Sequence, residues 1–391
     1  MDINHPNAAP AVRDSRIDFF RGLALYMIIV DHIPNDPLSR FTYSRLGLSD
    51  AAEIFVFLSG ISCGIVFFRV LQRQGVSGLF AAIGKRTLQI YAYYLLASIV
   101  TIAIIAAGRD LLTIPVNQQA FIALHEDPLA AILSAIRLTS PPELPGILVL
   151  YLELTVVAVP AFLLFSANGY KSALVASGAI WAFSQVYPDA LPHLADHSYF
   201  NPLAWQFLFC IGIFIGTSYT TGEDHLRHVK TRPWLMAAWA IVILELGYRL
   251  GLVVTNKLHV DWLTIADTTL RHMKEDLSPF RLLHFLSVAL LVATYVKKDN
   301  PMLNWPGASV LIKSGRSSLQ VFCLGAILTV LLNLFVAVEQ PIAIQRLALD
   351  FAAIGLLGLT ATLLMRSRLE RRQVQVTAGQ AVSEVQAKGL L

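Results

Sequence analysis

Long runs of apolar residues recur along the 391-residue chain, separated by short polar stretches. A run of about 17–25 mostly apolar residues can cross the hydrocarbon core of a bilayer as one α-helix. The pattern predicts ten such spans. They lie at 17–33, 50–70, 87–107, 144–165, 171–187, 203–220, 234–255, 281–297, 317–338 and 342–365. The predicted fold class is an all-α, polytopic membrane protein, a bundle of about ten transmembrane helices.

The polar stretches at the two ends and between the spans define the predicted domain organisation. We expect residues 1–15 to form a cytoplasmic tail and residues 16–366 to form the membrane domain. Residues 367–391 are predicted to be a second cytoplasmic tail, either a solvated helix or disordered. The mixed segment 117–138 is predicted to be an interfacial amphipathic helix rather than a span. The N-terminus lacks a signal-peptide pattern, so the first span is expected to direct insertion.

Composition supports a membrane location and argues against several other classes of protein. Hydrophobic residues make up 55% of the chain and charged residues 14%, whereas about a quarter of a soluble protein is charged. No basic run carries interleaved aromatic residues, so nucleic-acid binding has no support. The cysteines, at 63, 210 and 323, lie in separate apolar stretches without metal-ligand spacing. This spacing predicts small core residues rather than disulfides or a metal site.

The distribution of lysine and arginine predicts the orientation of the spans. Cytoplasmic loops of membrane proteins are enriched in these residues. With ten spans and the N-terminus inside, most of the 30 basic residues fall on the cytoplasmic side. Both termini are therefore predicted to lie in the cytoplasm, and His32 at the outer end of the first span.

The first span carries four ionisable residues, which are costly in hydrocarbon and therefore indicate a functional site. They are Asp18, Arg21, Asp31 and His32. At about 100° per residue, Arg21 and His32 fall on nearly the same helix face, about 16 Å apart along the axis. Asp18 precedes Arg21 by three residues, a spacing at which the two side chains can pair.

His32 is the candidate general base, because an imidazole has a reference pKa of about 6.5. The alternative is a histidine that is simply hydrated at a helix end. Asp31 is a candidate partner, although adjacent helical positions point about 100° apart. Glu53 enters the second span at the depth of His32 and is the better candidate for an orienting acid. It can equally be a carboxylate stabilised at a helix N-terminus that Asp50 caps.

Candidates for binding an extended, anionic ligand lie in the second and third spans. Lys85 and Arg86 are either positive-inside anchors or a clamp for phosphates. Tyr91 follows them and either marks the membrane interface or lines a cavity. Ser59 belongs to a cluster of small residues that indicates close helix packing, with a gap for an acyl chain or thioester as the alternative.

Two further spans contain ionisable residues. Glu153 lies about 13 Å into the fourth span, which contains no basic residue. Glu245 and Arg249 lie four apart in the seventh span, a spacing typical of a structural ion pair.

Several segments together resemble the OpgC proteins, which belong to the wider group of transmembrane acyltransferases. The segments are RIDFFRGLALYMIIVDH (16–32), SDAAEIFVFLSG (49–60), KRTLQIY (85–91), Tyr151 to Pro160, FNPLAWQ (200–206) and SGRSSLQVF (314–322). They cover most of the membrane domain, and the first two together are the most specific.

This resemblance implies an all-helical bundle in which 16–366 is the transmembrane acyltransferase domain. The implied activity is O-acylation, typically succinylation, of osmoregulated periplasmic glucans, with acyl-CoA as donor. His32 matches the catalytic histidine proposed for the family. Asp18 and Arg21 match its supporting polar pair, and Arg86 matches a basic residue on the donor side.

The chain departs from the family pattern at two positions. Gln89 stands where relatives in the wider group often have a second arginine, three residues after Arg86. Tyr94 stands where some OpgC-like members have a histidine. Both departures concern how the donor is held and which acyl group is used.

Together, the residues and the resemblance suggest one mechanism. An acyl-CoA, succinyl-CoA by resemblance, would place its nucleotide near Lys85, Arg86 and Arg316. Its pantetheine would thread between spans, past Ser59 and Tyr91, to the level of His32. A glucan hydroxyl would enter from the outer side and lose its proton to His32. Glu153 is expected to support the site, and no metal ion is required.

Two other functions use the same residues differently. A transporter or flippase would employ the buried charges as a proton or substrate pathway. A structural partner of a glucan synthase would make His32 dispensable. The expected location is the bacterial inner membrane, and the expected partners are the lipid bilayer, the donor and the glucan. A homo-oligomer is also compatible with the sequence.

Overall fold

A computed structural model describes residues 13–34, 36–45, 47–108, 127–188, 199–222, 224, 226–257 and 274–387. All regular secondary structure in these ranges is helical. The helices are α1 (Ser15–Asp31), α2 (Ala51–Ala107), α3 (Pro128–Ile136), α4 (Glu143–Glu153), α5 (Val159–Phe165), α6 (Tyr170–Val186), α7 (Pro202–Thr221), α8 (Arg232–Lys257), α9 (Pro279–Tyr295), α10 (Pro306–Arg316), α11 (Ser318–Glu339) and α12 (Ala343–Ala387). A single π-helical turn, Leu154–Ala158, joins α4 to α5.

Six of the described helices are long and apolar enough to cross a membrane, which supports a multi-pass membrane protein. They are Ala51–Ala107, Glu143–Phe165, Pro202–Thr221, Arg232–Gly251, Ser318–Glu339 and Ala343–Arg371. Pro279–Tyr295 is a shorter apolar helix, and α1 and α6 have 17 residues each. Each of the ten predicted spans coincides with helix, but the number that cross the bilayer stays a prediction.

Two predicted spans, 50–70 and 87–107, belong to one 57-residue helix, α2. The residues between them are helical except at Gly75, where φ is +69° and ψ is −166°. Only glycine adopts this conformation without steric cost, since it has no Cβ. Gly75 therefore divides α2 into α2a, residues 51–74, and α2b, residues 76–107.

Glycines bring two pairs of helices into backbone contact. A Cβ at Gly212 or Gly216 of α7 would overlap the backbone of α2a, and one at Gly60 or Gly64 would overlap that of α7. This contact confirms the close packing predicted for the small-residue cluster around Ser59. In the same way, Gly22 of α1 approaches the backbone of α10.

Local hydrogen bonds define where the helices begin. Asp14 caps α1, and Asp50 and Glu53 form a reciprocal capping box at the start of α2, as expected for Asp50. At the other end of the chain, α12 continues past residue 366 to Ala387, so the predicted tail begins as a helix. Much of the predicted interfacial segment lies outside the described residues, but α3 forms its last part with Asp127 as cap.

Candidate functional site

His32 is the C-cap residue of α1, and its half-buried imidazole is held by one turn of that helix. Its Nδ1 lies 2.6 Å from the carbonyl oxygen of Ile28. A carbonyl only accepts hydrogen bonds, so Nδ1 carries the proton and the lone pair lies on Nε2. This tautomer has the form that a general base requires. The His32 carbonyl in turn accepts a hydrogen bond of 3.2 Å from the Asn333 amide.

Asp31 stabilises the segment that follows α1. Its carboxylate accepts hydrogen bonds from Thr42 Oγ1 at 2.5 Å and Ser44 Oγ at 3.2 Å. Among the described residues it makes no hydrogen bond to the His32 ring. The predicted catalytic partnership of Asp31 and His32 thus gains no geometric support, because the two side chains leave the helix in different directions.

Glu53 contacts a different partner from the one predicted. Its fully buried carboxylate accepts hydrogen bonds from Arg281 at 2.6–2.7 Å and from the backbone N–H of Asp50 at 2.9 Å. In the part of the chain that the structure describes, it makes no hydrogen bond to His32. The predicted role as orienting acid is therefore not supported, because a buried carboxylate is stabilised by the nearest cation. Glu53 joins the start of α2 to α9.

Lys274 completes the ion-pair network of Asp50, Glu53 and Arg281, at 2.8 Å from Asp50. Burial alone would raise the pKa of the Asp50 carboxyl, but Lys274 and Arg281 hold that pKa below its usual range. Burial would lower the pKa of Lys274, but Asp50 and Glu53 raise it. The stabilisation from Asp50 is present above about pH 3.9 and is lost only as the pH falls through its lowered pKa. That from Lys274 is present below about pH 10.4 and is lost as the pH rises through its raised pKa.

A buried histidine that the sequence analysis missed lies beside this network. Ser49 Oγ lies 2.7 Å from Nδ1 of His284, and Glu245 lies 3.6 Å from its Nε2. The order serine, histidine, carboxylate is that of a nucleophilic triad. However, Ser49 is 0% and His284 2% exposed, and the Ser49 backbone N–H also donates to Nδ1. We therefore interpret these residues as a buried polar link between α2, α8 and α9.

Glu245 and Arg249 both bind the loop before α2. Glu245 accepts a hydrogen bond of 3.1 Å from the backbone N–H of Leu48, and Arg249 donates to the carbonyl of Gly47. The criterion that singled out Arg21, an ionisable residue in an apolar span, also applies to Arg281 and His284. Both residues lie in the predicted span 281–297, so the sequence alone could have identified them in the same way.

At the opposite end of α1, Asp18 is bound by two arginines other than the predicted one. Arg13 donates at 2.6 Å and 2.7 Å, and Arg316 donates at 3.2 Å. Arg21 instead donates to the carbonyl of Leu58 at 2.6 Å and to the Ser62 hydroxyl. No hydrogen bond joins Asp18 to Arg21 among the described residues, because α10 and the residues before α1 supply other donors to the carboxylate. Asp18 still acts on the Arg21 guanidinium as a nearby opposite charge.

Arg21 and Arg86 both approach one group of interior polar residues, which we call the polar cleft and define by Arg21, Ser59, Cys63, Arg86 and Tyr151. Both guanidinium groups lie within electrostatic range of the Cys63 thiol and the Tyr151 hydroxyl, and Ser59 lies next to that hydroxyl. Cys63 thus borders a charged site and differs from the other two cysteines, which are buried as predicted.

Neither of these arginines forms an ion pair within the described residues. Arg86 donates to Gln89 Oε1 at 2.8 Å, so the residue that departs from the family pattern is its partner. Arg21 is 7% exposed, and its Nε meets no hydrogen-bond acceptor in the described part of the chain. Asp18 acts on Arg21 as a nearby charge but does not hydrogen-bond to it. A buried cation without a hydrogen-bonded carboxylate is costly, and the cleft can therefore favour an anionic or strongly polar ligand.

A mostly apolar groove of about 400 Å³ lies along α2b. Its lining residues are Phe80, Ile83, Gly84, Thr87, Leu88, Tyr91 and Val156. The buried Thr87 hydroxyl meets no hydrogen-bond partner among the described residues. Tyr91 lines this groove and donates at 2.8 Å to the carbonyl of Ile136. Lys85 is exposed nearby on α2b.

Glu153 is the last residue of α4 and lies directly before the π-helical turn Leu154–Ala158. It is 6% exposed. Single π-helical turns inside helices occur frequently at functional sites. The described residues contain no group of three His, Cys, Asp or Glu side chains that could hold a metal ion.

The helices, the interior cations and the histidine at a helix end define an all-helical, multi-pass membrane protein with a polar interior site. The family model described as OpgC protein matches residues 13–369. The chain therefore belongs to the OpgC family, which confirms the predicted resemblance and supports an acyltransferase-type role in glucan modification. Comparison with curated proteins and comparison with solved structures each gave no match.

Proposed function

We propose that this protein transfers an acyl group from cytoplasmic acyl-CoA to a hydroxyl of a periplasmic glucan, with His32 as general base. The observation that carries this proposal is the cleft around Arg21 and Arg86. Its two cations hydrogen-bond to no carboxylate within the described residues. Arg21 shares α1 with His32, whose neutral imidazole has its lone pair on Nε2. Family membership supplies the reaction class.

The inner end of α1 supports binding of the phosphates of the donor. Arg13 and Arg316 bind the carboxylate of Asp18, and Arg21 lies within electrostatic range of it. The surplus positive charge suits an anionic nucleotide, and the guanidinium fork matches phosphate oxygens. Lys85 is exposed nearby on α2b and adds a further cation.

The distance from Arg21 to His32 supports an extended path for the donor arm. Eleven residues of α-helix rise about 16 Å. Pantetheine is a chain of methylenes and two amides that spans a comparable length when extended. Ser59 in the cleft and Tyr91 in the groove supply hydroxyls beside an otherwise apolar route. The thioester would then lie at the level of His32.

The reaction at His32 needs one base and no covalent enzyme intermediate. Nε2 accepts the proton of the glucan hydroxyl as its oxygen attacks the thioester carbonyl. The new C–O bond replaces the C–S bond, and the thiolate of CoA leaves. The imidazolium then gives its proton to that thiolate, which restores the neutral base.

The remaining features of the proposal rest on the family and on the charge pattern. The acyl group is succinyl, the protein lies in the bacterial inner membrane with ten spans, and both termini are cytoplasmic. Glu153 supports the cleft from α4. A homo-oligomer is compatible with this arrangement.

Replacement of the base tests the proposal directly. His32→Ala should lower the acylation rate about 10²–10⁴-fold, the usual contribution of a general base. The measurement is acyl-CoA-dependent modification of purified glucan by protein in detergent, followed by mass spectrometry. His228→Ala is the control, because His228 lies in the loop before α8, bonded to Arg227. Full activity of folded His32→Ala protein would refute the role of His32.

The same assay separates the proposal from the transporter or flippase alternative. Covalent modification of a glucan in detergent needs an enzyme and no membrane compartments. A transporter would move its substrate across the membrane of proteoliposomes and would form no acyl-CoA-dependent product.

A further inference from the structure

Two buried aspartates meet beside the turn that follows His32. Asp36 lies four residues after His32, and Asp350 lies near the start of α12. Each is only 2% exposed. Their side chains are within hydrogen-bonding reach of each other, although 314 positions separate them in sequence. Neither residue was singled out by the sequence pattern.

The oxygen atoms of this pair show how it is protonated. Asp36 Oδ1 accepts a hydrogen bond of 2.7 Å from the backbone N–H of Leu38. Oδ2 of Asp36 and Oδ2 of Asp350 are buried and meet no donor in the part of the chain that the structure describes. Two ionised carboxylates have no hydrogen to share and repel each other. The contact is favourable only when one of the two is protonated.

The surrounding charges agree with a single shared proton. Arg346, one helical turn before Asp350, is the cation that acts on it. The charges of one arginine, one carboxylate and one neutral carboxyl sum to zero. Two carboxylates beside the same arginine would leave a net negative charge in the interior. Glu339 on α11 and Arg40 after the turn are exposed. At the end of α1, the titratable groups are His32 and Asp31, and the Asp31 carboxylate accepts hydrogen bonds from Thr42 and Ser44.

The same helices hold the turn at two backbone positions. Arg346 donates to the carbonyl of Pro34 at 3.2 Å, and Asn333 donates to the carbonyl of His32 at 3.2 Å. Three polar contacts thus connect this turn to α11 and α12, one each at His32, Pro34 and Asp36. The aspartate pair is the only one of these three that contains a titratable carboxyl on each side.

We propose that Asp36 and Asp350 share one proton and, as positioning residues, hold the His32 turn against α12. Loss of that proton at alkaline pH leaves two buried carboxylates facing each other and separates the turn from the helix. The imidazole then leaves its position, and acyl transfer slows. This inference rests on the proposed function for its kinetic consequence. The shared proton itself does not depend on that function.

Substitution of Asp350 by an amide or by alanine tests the proposal. Asp350→Asn keeps a hydrogen bond to the Asp36 carboxylate without a titratable proton, whereas Asp350→Ala removes the contact. We expect Asp350→Asn to retain the kcat of the native protein and to keep it at alkaline pH, where the native kcat falls. Asp350→Ala should lower kcat about 10–100-fold at every pH, the usual effect of a misplaced catalytic group. The KM for acyl-CoA should not change.

Infrared spectroscopy supplies a readout that does not need activity. The native protein in detergent at neutral pH should show the C=O band of a protonated carboxyl, and this band should be missing in both Asp350→Asn and Asp36→Asn. A native spectrum identical to both variants in this region would overturn the shared proton. Equal kcat and equal pH profiles for Asp350→Asn and Asp350→Ala would overturn the positioning role. If His32→Ala stays active while the band is present, the proposed function fails and the shared proton stands.

Discussion

The ion pair between Glu53 and Arg281 illustrates how a single buried charge determines the role of its neighbours. Glu53 is 0% and Arg281 4% exposed, so neither side chain can replace its partner with water. A buried pair is often no more stable than apolar residues of similar shape, but removal of one partner costs about 3–5 kcal/mol. The pair therefore links the start of α2 to α9, and the Glu53 carboxylate is occupied by Arg281 rather than by His32 in this structure.

A double-mutant cycle tests this structural role. Arg281→Met should destabilise the protein by about 3–5 kcal/mol, because Glu53 then keeps a buried charge without its main cation. The double variant Glu53→Gln with Arg281→Met should recover most of that loss and retain acylation. Thermal unfolding in detergent measures the stability. A stable double variant without activity would instead restore Glu53 as a catalytic residue.

The candidate site was predictable from the sequence only within one helix. The 3.6-residue period places Arg21 and His32 on one face of α1, and the capping pattern identifies Asp50. Partners from distant segments were not predictable. Arg281 is 228 positions from Glu53, and Arg316 is 298 positions from Asp18. No helical spacing encodes such contacts, and proximity in sequence could suggest only partners on the same helix.

Among the helices, the contact between α2a and α7 depends on glycine more than any other. The backbones approach so closely that a Cβ at Gly212 would overlap the Phe57 carbonyl. Small residues at an interface permit such an approach within a membrane. The apolar pattern predicted the position of both helices, and the small-residue cluster predicted one side of the contact. It did not identify the partner helix.

One pair of substitutions measures the importance of this contact. Gly212→Ala should destabilise the protein by about 1–3 kcal/mol or more, because the added methyl has no space beside the backbone of α2a. Gly247→Ala in α8 is the matched control, since a Cβ there meets no atom within 4 Å. Its thermal midpoint in detergent should equal or exceed that of the native protein. Equal midpoints for the two variants would contradict the close contact.

For the whole molecule, orientation in the membrane decides which substrate reaches which end of α1. The positive-inside pattern predicts that the loop after His32 faces the periplasm and that the Gly75 region faces the cytoplasm. Hydropathy alone predicted the all-helical class and the positions of the long apolar helices, but not α10, which lies between two predicted spans. It could not predict that α2 continues through Gly75, because a single residue with positive φ leaves no hydrophobic signal.

Cysteine labelling determines this orientation. In a variant without the three native cysteines, Phe41→Cys should react with a membrane-impermeant thiol reagent in intact spheroplasts, because Phe41 is 85% exposed. Gln74→Cys, next to Gly75, should react only after the membrane is permeabilised. The reverse pattern would place His32 on the cytoplasmic side and exclude transfer across the membrane.

The break at Gly75 has a mechanical consequence for the cleft. Ser59 and Cys63 lie on α2a, whereas Arg86 lies on α2b, so the residues of the cleft come from both sides of one glycine. A Cβ at Gly75 would touch no atom within 4 Å, so crowding is not what requires glycine here. The positive φ requires it, and the backbone angles of this residue fix the angle between the helix with Arg86 and the helix with Ser59 and Cys63.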